Sequence, residues 1–403
     1  MKRTMKQWLS LAAAGMMALS MSSCADLTGK IAGIFGKDSA SILPEEGQVE
    51  KYTPIILNNV TQAKNVILMI GDGMGPNQIK AGELYRDEPL VMQGFPYMTM
   101  METRSANNYI TDSAAAATAL ATGVRTYNAT VGQTPEGEDL ETIVDIAASL
   151  GKRTGIIATE VLTGATPMGF AAHAENRGDE VTLIKSAIAT SNVNLFASYT
   201  IKDGYKNGFV EGGYEKIDDP KLISESTSDK VFGSYWIHAT APSMSGEMDD
   251  VALDFLVTEA LEYLSKDEDG FFLMAEGSHI DHGGHKNDIK YMLEELLAFD
   301  DAVKAVLKWA ENRNDTVVIV TADHETGGLE LDPTMNHDLM VAVFEDPRIE
   351  EGYVWTTDGH TGVDVRFYVN GADIDFAKYS FQQKDRIQNV DTFSIIKDLM
   401  MGV

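Results

Sequence analysis

Asp112 and Ser113 stand immediately before the run Ala114-Ala115-Ala116-Ala117-Thr118-Ala119-Leu120-Ala121-Thr122, which closes on Gly123. Alanine is the best helix former, and Asp and Ser are favoured caps. Ser113 is therefore expected at the mouth of a helix, beside free backbone N–H groups. Such a mouth favours anions, phosphate above all. A serine there becomes a nucleophile once something removes its proton. Taken alone the stretch reads first as an ordinary capped helix, and the rest of the chain reverses that reading.

Ligand supply is the second signal. Of eight histidines, five fall in three tight clusters. Ser278-His279-Ile280-Asp281-His282-Gly283-Gly284-His285 carries three of them with an Asp. Asp281 and His285, four apart, share one face of a helical turn and suit one metal ion. Asp323-His324 adds a carboxylate and an imidazole. Asp358-Gly359-His360-Thr361-Gly362 adds a histidine in a turn. Mixed His/Asp ligation suits zinc, whereas carboxylate and hydroxyl oxygens suit magnesium. The bland reading of His279 and His282 is that they are simply neighbours in the cluster. His173 reads as structural, and His238 and His337 receive no role.

These groups need a frame. Four apolar runs end in polar residues: Lys64–Ile70 before Gly71-Asp72-Gly73, Thr154–Thr159 before Thr163-Gly164-Ala165-Thr166, Gly270–Ala275 before Glu276-Gly277, and Thr316–Thr321 before Ala322-Asp323-His324. Continuous apolar runs fit strands buried on both faces. Helical patterns over 141–150, 249–265 and 289–312 alternate with them. The expected fold is α/β, a three-layer sandwich with a central, mainly parallel sheet and helices on both faces. In such sheets ligands bind beyond the carboxyl ends of the strands, so four polar strand ends suggest one shared site. Residues 190–250 read as loops with an insertion near the site mouth, and 330–358 as a second short insertion.

The chain has 403 residues, 44% of them hydrophobic, and a formal charge of −29. That composition excludes a disordered or fibrous chain. The charge disfavours nucleic acid and anionic lipid as partners. It also means that an anionic substrate needs a locally positive pocket, which metal ions would supply.

The motifs together resemble the alkaline phosphatases. The resemblance rests on Gly71-Asp72-Gly73-Met74-Gly75, Thr111-Asp112-Ser113-Ala114-Ala115, Gly123-Val124-Arg125-Thr126-Tyr127-Asn128, Ala165-Thr166-Pro167, the cluster from Glu276 to His285, Ala322-Asp323-His324 and His360-Thr361-Gly362. They occur in the family's order and span most of the chain. The resemblance implies hydrolysis of small phosphate monoesters through a phosphoserine on Ser113. It implies two Zn2+ ions: one held by Asp72, Asp323 and His324 and touching Ser113, the other held by Asp281, His285 and His360. It implies a Mg2+ held by Thr166 and Glu276, with Asp72 bridging. Arg177 falls at the phosphate-binding arginine, positioned by Asp112, and His282 falls where the family contacts phosphate through water or supports the third metal. Family members are often dimers, which makes a homodimer an expectation. The family usually has Asp or His just before Ala-Thr-Pro; here that residue is Gly164, so the Mg2+ site is expected to be weakened or rebuilt. A related phosphodiesterase or sulfatase, or a metal- or phosphate-binding lipoprotein without turnover, are the alternatives.

Residues 1–23 read as a signal peptide: Lys2, Arg3 and Lys6, then an apolar stretch, then Met21-Ser22-Ser23 before Cys24. This resembles a bacterial lipoprotein signal, with a lipid on Cys24 as the only membrane attachment and the periplasm as the location. Residues 24–60 read as a tether and 61–403 as the catalytic domain. Cys24 is the single cysteine, so no internal disulfide is expected.

Overall fold

Strand β1 (Asn65–Gly71) is buried along its whole length, as expected of an apolar strand covered on both faces. The computed structural model describes residues 53–237, 251–346, 348–379 and 386–403. The signal, Cys24, most of the tether and His238 lie outside them. No helix among the described residues is long and apolar enough to cross a membrane. The further strands are β2 (Tyr97–Glu102), β3 (Arg153–Val161), β4 (Leu195–Tyr199), β5 (Glu215–Ile217), β6 (Val231–Tyr235), β7 (Phe271–Gly277), β8 (Thr316–Thr321), β9 (Glu325–Thr326), β10 (Leu329–Leu331), β11 (Tyr353–Trp355), β12 (His360–Thr361), β13 (Val365–Asn370) and β14 (Arg386–Gln388). The α-helices are α1 (Pro76–Arg86), α2 (Ser113–Thr122), α3 (Ile143–Ser149), α4 (Ala165–Gly169), α5 (Glu180–Thr190), α6 (Asp203–Glu211), α7 (Leu253–Leu264), α8 (His279–His285), α9 (Ile289–Ala310), α10 (His337–Glu345) and α11 (Asp391–Met401).

Ten strands form one sheet in the order β14-β2-β13-β8-β1-β7-β3-β4-β6-β5. β13 runs antiparallel to both its neighbours, and all other pairings are parallel. Helices α1, α7 and α9 pack together against one face, and α2, α3, α4 and α11 against the other. This is the expected three-layer α/β architecture. The long α9 shows how the sequence specifies a layer. Its buried positions Ile289, Met292, Leu293, Leu296, Phe299, Val303, Val306, Leu307 and Ala310 recur at helical spacing. Asp288 caps it by accepting from Tyr291 N at 3.0 Å.

Register sets the site. Ile70 of β1 stands level with Glu276 of β7 and Thr321 of β8. The residues that follow these three strands therefore emerge together. Because β13 runs the other way, the segment leading into it, His360-Thr361, arrives at the same end of the sheet. There β12 pairs with β9, placing His360 opposite Thr326.

One expectation is corrected. Residues 190–250, read as loops, contain α6 and three sheet strands: β4, β5 and β6. These strands are only five, three and five residues long. They lie toward the sheet edge and mix Ser, Gly, Tyr and Lys with apolar residues, so they lack the long apolar runs of the central strands. Residues 330–358 carry α10 and β11, and β11 closes a two-stranded ribbon with β10.

Asp300 ties α9 to the end of α1 and to the turn that leads into β2. It is fully buried, accepts from Val91 N at 2.9 Å and Met92 N at 3.2 Å, and pairs with Arg86 Nη1 at 3.3 Å. Burial pushes its carboxyl up to about 6 from the ordinary 3.8, against the opposing pull of Arg86 and the two N–H groups. Between these values the folded protein keeps a proton that the unfolded chain has lost, so this group's stability contribution falls as pH rises from 4 to 6. Denaturant titrations should show the stability of the wild type relative to Asp300→Asn falling by up to about 3 kcal/mol between pH 4 and pH 7. A difference independent of pH would contradict this.

Candidate active site

Ser113 is the first residue of α2, directly after its cap Asp112. Asp112 Oδ1 accepts from Ala115 N at 3.0 Å, which fixes the helix start. Its Oδ2 accepts from Ala129 N at 2.9 Å and pairs with Arg177 Nη1 at 3.4 Å. One carboxylate thus aligns the serine-bearing helix and the arginine. The Arg177 side chain is 37% exposed, so its guanidinium meets solvent as well as Asp112. Ser113, itself buried, lies 3.2 Å from His324 Nε2 through Oγ.

Two groups of side chains offer metal-ligand atoms that all lie within 4.8 Å of one another: Asp72 with Asp323 and His324, and Asp281 with His285 and His360. The two groups share a wall, since the rings of His324 and His360 stack with centroids 3.5 Å apart. Gly73 allows this closeness. It adopts φ +74°, and a side chain there would run into the Asp281 backbone.

The histidine tautomers follow from their partners. His285 Nδ1 lies 2.6 Å from the Asp358 carbonyl and His360 Nδ1 lies 2.9 Å from the Thr111 carbonyl. A carbonyl only accepts, so both Nδ1 atoms carry the proton. Thr326 Oγ1 donates its one proton to Asp281 Oδ1 at 2.6 Å, so at its 3.1 Å contact with His324 Nδ1 it must accept. In the neutral form of each ring Nε2 is then left with its lone pair facing the cluster, as in metal-binding histidines.

The lone pairs converge on one another. His285 Nε2 and His360 Nε2 are 3.2 Å apart, and Asp281 lies 3.3 Å from the former and 3.6 Å from the latter. His324 Nε2 is 3.1 Å from Asp323 Oδ2 and 3.6 Å from Asp72 Oδ1. Asp323 Oδ1 is satisfied by Gly73 N and His324 N, but its Oδ2 and Asp72 Oδ1 are buried without a hydrogen-bond partner. Acceptors packed against acceptors repel unless a cation lies among them. The donor sets fit divalent metals: two carboxylates with one imidazole, and one carboxylate with two.

Glu276, near Asp72, and Thr166 add oxygen donors alone. Glu276, at the end of β7, and Thr166, on α4, are fully buried. Both Glu276 carboxylate oxygens and Thr166 Oγ1 lack a hydrogen-bond partner. Burial first, then Glu160 and Asp323, raises the Glu276 carboxyl well above its ordinary value. Burial, Asp323 and Asp281 do the same to Asp72. Burial and His360 hold His324 well below the usual imidazole range, in its neutral form.

His282, on the same helix α8 as Asp281, stacks on His279 with centroids 4.8 Å apart, and His279 Nδ1 lies 3.8 Å from Glu295. Burial and His279 together lower its pKa. Two residues escaped the sequence reading. Thr326 bridges the two ligand groups through its hydroxyl. Glu160 stands near the oxygen-only region. Neither sits in a motif; only the register of β9 against β12 and the course of β3 reveal them.

The protonated carboxyls make a test. Burial and the neighbouring carboxylates favour the protonated forms of Asp72 and Glu276 in the cation-free protein, and a cation competes with those protons, while His324 is held toward its neutral form. Calorimetric zinc titration at pH 6 in buffers of different ionisation heats should reveal about one or more protons released per chain. Heats independent of buffer would contradict this.

Comparisons with known proteins agree. The alkaline phosphatase family model matches residues 63–217 and 221–348. Alkaline phosphatase 3 of Bacillus subtilis (strain 168) is 32% identical over 316 residues, 74% of this chain and 68% of that protein. The alkaline phosphatase of Escherichia coli (strain K12) is 30% identical over 329 residues, 65% of this chain and 70% of that protein. The structure of alkaline phosphatase from the Antarctic bacterium TAB5 matches with a TM-score of 0.70 at 29% identity, covering 84% of this chain and 98% of that one. On its fold, its matched span and its relatives, the chain belongs to the alkaline phosphatase family of phosphomonoesterases.

Proposed function

We propose that the chain hydrolyses small phosphate monoesters in two displacements, with Ser113 as nucleophile and a phosphoserine between them. The observation that carries this reading is Ser113 Oγ at a capped helix mouth, 3.2 Å from His324 in one ligand group and beside the Arg177 that Asp112 holds. In the first displacement Ser113 Oγ bonds to phosphorus, the ester P–O bond breaks and the alcohol departs with a proton. In the second, water attacks phosphorus, inorganic phosphate leaves and the Ser113 hydroxyl is restored.

The chain's own groups divide the work. The α2 N-terminus presents backbone N–H groups and a positive dipole end to the phosphate. Arg177 offers a planar fork to two phosphate oxygens, which a lysine cannot reproduce. Asp72, Asp323 and His324 would hold one Zn2+, and Asp281, His285 and His360 the other. When bound, such ions supply Lewis-acid polarisation and positive charge for the attacking and leaving oxygens. That charge would also let a protein of net −29 accept a dianion. Glu276 and Thr166, with Asp72, would hold Mg2+. Export to the periplasm and a lipid on Cys24 are supported by residues 1–24 alone.

Steady-state hydrolysis of a chromogenic phosphate monoester tests the reading. Ser113→Ala should lose about a thousandfold or more in kcat. Arg177→Lys should lose about ten- to a hundredfold in kcat/KM. Chelation should abolish the activity of wild type and of Arg177→Lys, zinc should restore each to its own level, and Ser113→Ala should stay inactive with zinc present. Full activity in Ser113→Ala, or turnover of a diester or sulfate ester in preference to the monoester, would overturn it.

A further inference from the structure

Gly164 caps the start of α4, two residues before Thr166. A glycine offers no side chain to the oxygen-only region. The space is nonetheless filled: a Cβ built on Gly164 would overlap the carboxylate of Glu160 through Oε1 and Cδ. A residue from β3 thus occupies the place that a side chain at 164 would take.

The backbone shows how it gets there. β3 and β4 pair in register from Gly155 to Ala158, and pairing resumes only at Val161 opposite Tyr199. Ala158 pairs with Ser198, the residue before Tyr199, so Thr159 and Glu160 are extra in β3. This is a bulge, a feature that re-aims side chains beside sites. It is pinned to the end of β7: Glu160 N donates to Ser278 Oγ at 3.2 Å, and Ser278 N donates to Thr159 Oγ1 at 2.8 Å. On the other side of β3, Ala158 stands level with Glu276.

We propose that Glu160 supplies the ligand that Gly164 cannot, completing with Glu276, Thr166 and Asp72 a third cation site made entirely of oxygen donors. The proposal rests on the family function above, but its evidence is separate. Glu276 is fully buried with both carboxylate oxygens unpartnered, and so is Thr166 Oγ1. Glu160, beside the Cβ position of Gly164, is close enough to Glu276 and Asp72 for the three carboxylates to repel one another, which calls for a cation rather than for another hydrogen bond. With no nitrogen or sulfur in the set, a hard ion such as magnesium suits it better than zinc does. Burial raises the Glu160 carboxyl to about 7, against the opposing pull of the nearby Arg177. The cation site is thus rebuilt from a neighbouring strand, and Glu160 is a ligand and positioning residue rather than a nucleophile or acid.

Magnesium binding to the zinc-loaded full chain, by calorimetry and by dialysis with elemental analysis, tests this without reference to turnover. Wild type should take up one magnesium per chain beyond two zincs. Glu160→Gln, which keeps the volume, should weaken that step about tenfold or more and leave zinc at two. The double variant Glu160→Ala/Gly164→Asp should recover magnesium binding to within a few-fold. Gly164 has an extended conformation that any residue adopts, and removing the Glu160 side chain clears the space. Magnesium binding in Glu160→Gln equal to wild type, or no magnesium uptake by zinc-loaded wild type, overturns the proposal. In either case two zincs per chain and monoester hydrolysis would leave the family function standing; their absence from wild type would fail that function instead.

Discussion

The structure depends on one electrostatic constraint: metal-ligand atoms packed largely against one another, with Asp72 Oδ1, Asp323 Oδ2 and both Glu276 oxygens lacking any hydrogen-bond partner. Asp72 and Asp323 follow the ends of two adjacent central strands, and Glu276 stands two residues deeper on the next, level with Ile70. Three histidines turn the same unprotonated nitrogen toward them. In a buried setting such an arrangement is unfavourable unless positive charge is added. Divalent cations resolve it, and the same cations then provide the attraction that a strongly acidic protein otherwise lacks for phosphate.

The rest of the fold serves to hold these groups without giving way. The parallel strands fix depth, because a shift of one residue would send Glu276 or Asp72 away from the others. The single antiparallel strand β13 returns the chain to the ligating end and delivers His360. Backbone carbonyls at Thr111 and Asp358 set two imidazole tautomers, and the Thr326 hydroxyl sets the third. Thr111 also belongs to the serine segment, so the loop that positions the nucleophile orients a metal-facing histidine as well. Asp112 couples the other side of that segment to Arg177. Nucleophile, arginine and ligand groups therefore form one connected polar network, mounted on a core of buried strands.

Much of this was legible in the sequence. Ser113, Asp323-His324 and Asp281 with His285 lie in short motifs, and their chemistry is written in adjacent residues. The central strands were legible because a strand covered on both faces must be apolar throughout. The edge strands β4, β5 and β6 were not, because short strands with mixed composition look like loops until a neighbour pairs with them. Thr326 was hidden because a lone threonine signals nothing until its hydroxyl is seen between His324 and Asp281. Glu160 was hidden for a different reason: the sequence shows a missing side chain at Gly164, but only a bulge in β3 shows which residue fills the gap.

The central claim is that Ser113 itself carries the phosphate during turnover. The direct measurement is a rapid acid quench of the zinc- and magnesium-loaded protein during monoester hydrolysis, followed by peptide mass spectrometry. The account predicts a phosphoryl group on Ser113 that disappears once substrate is exhausted. Sustained turnover with no phosphate on Ser113 at any time would contradict it.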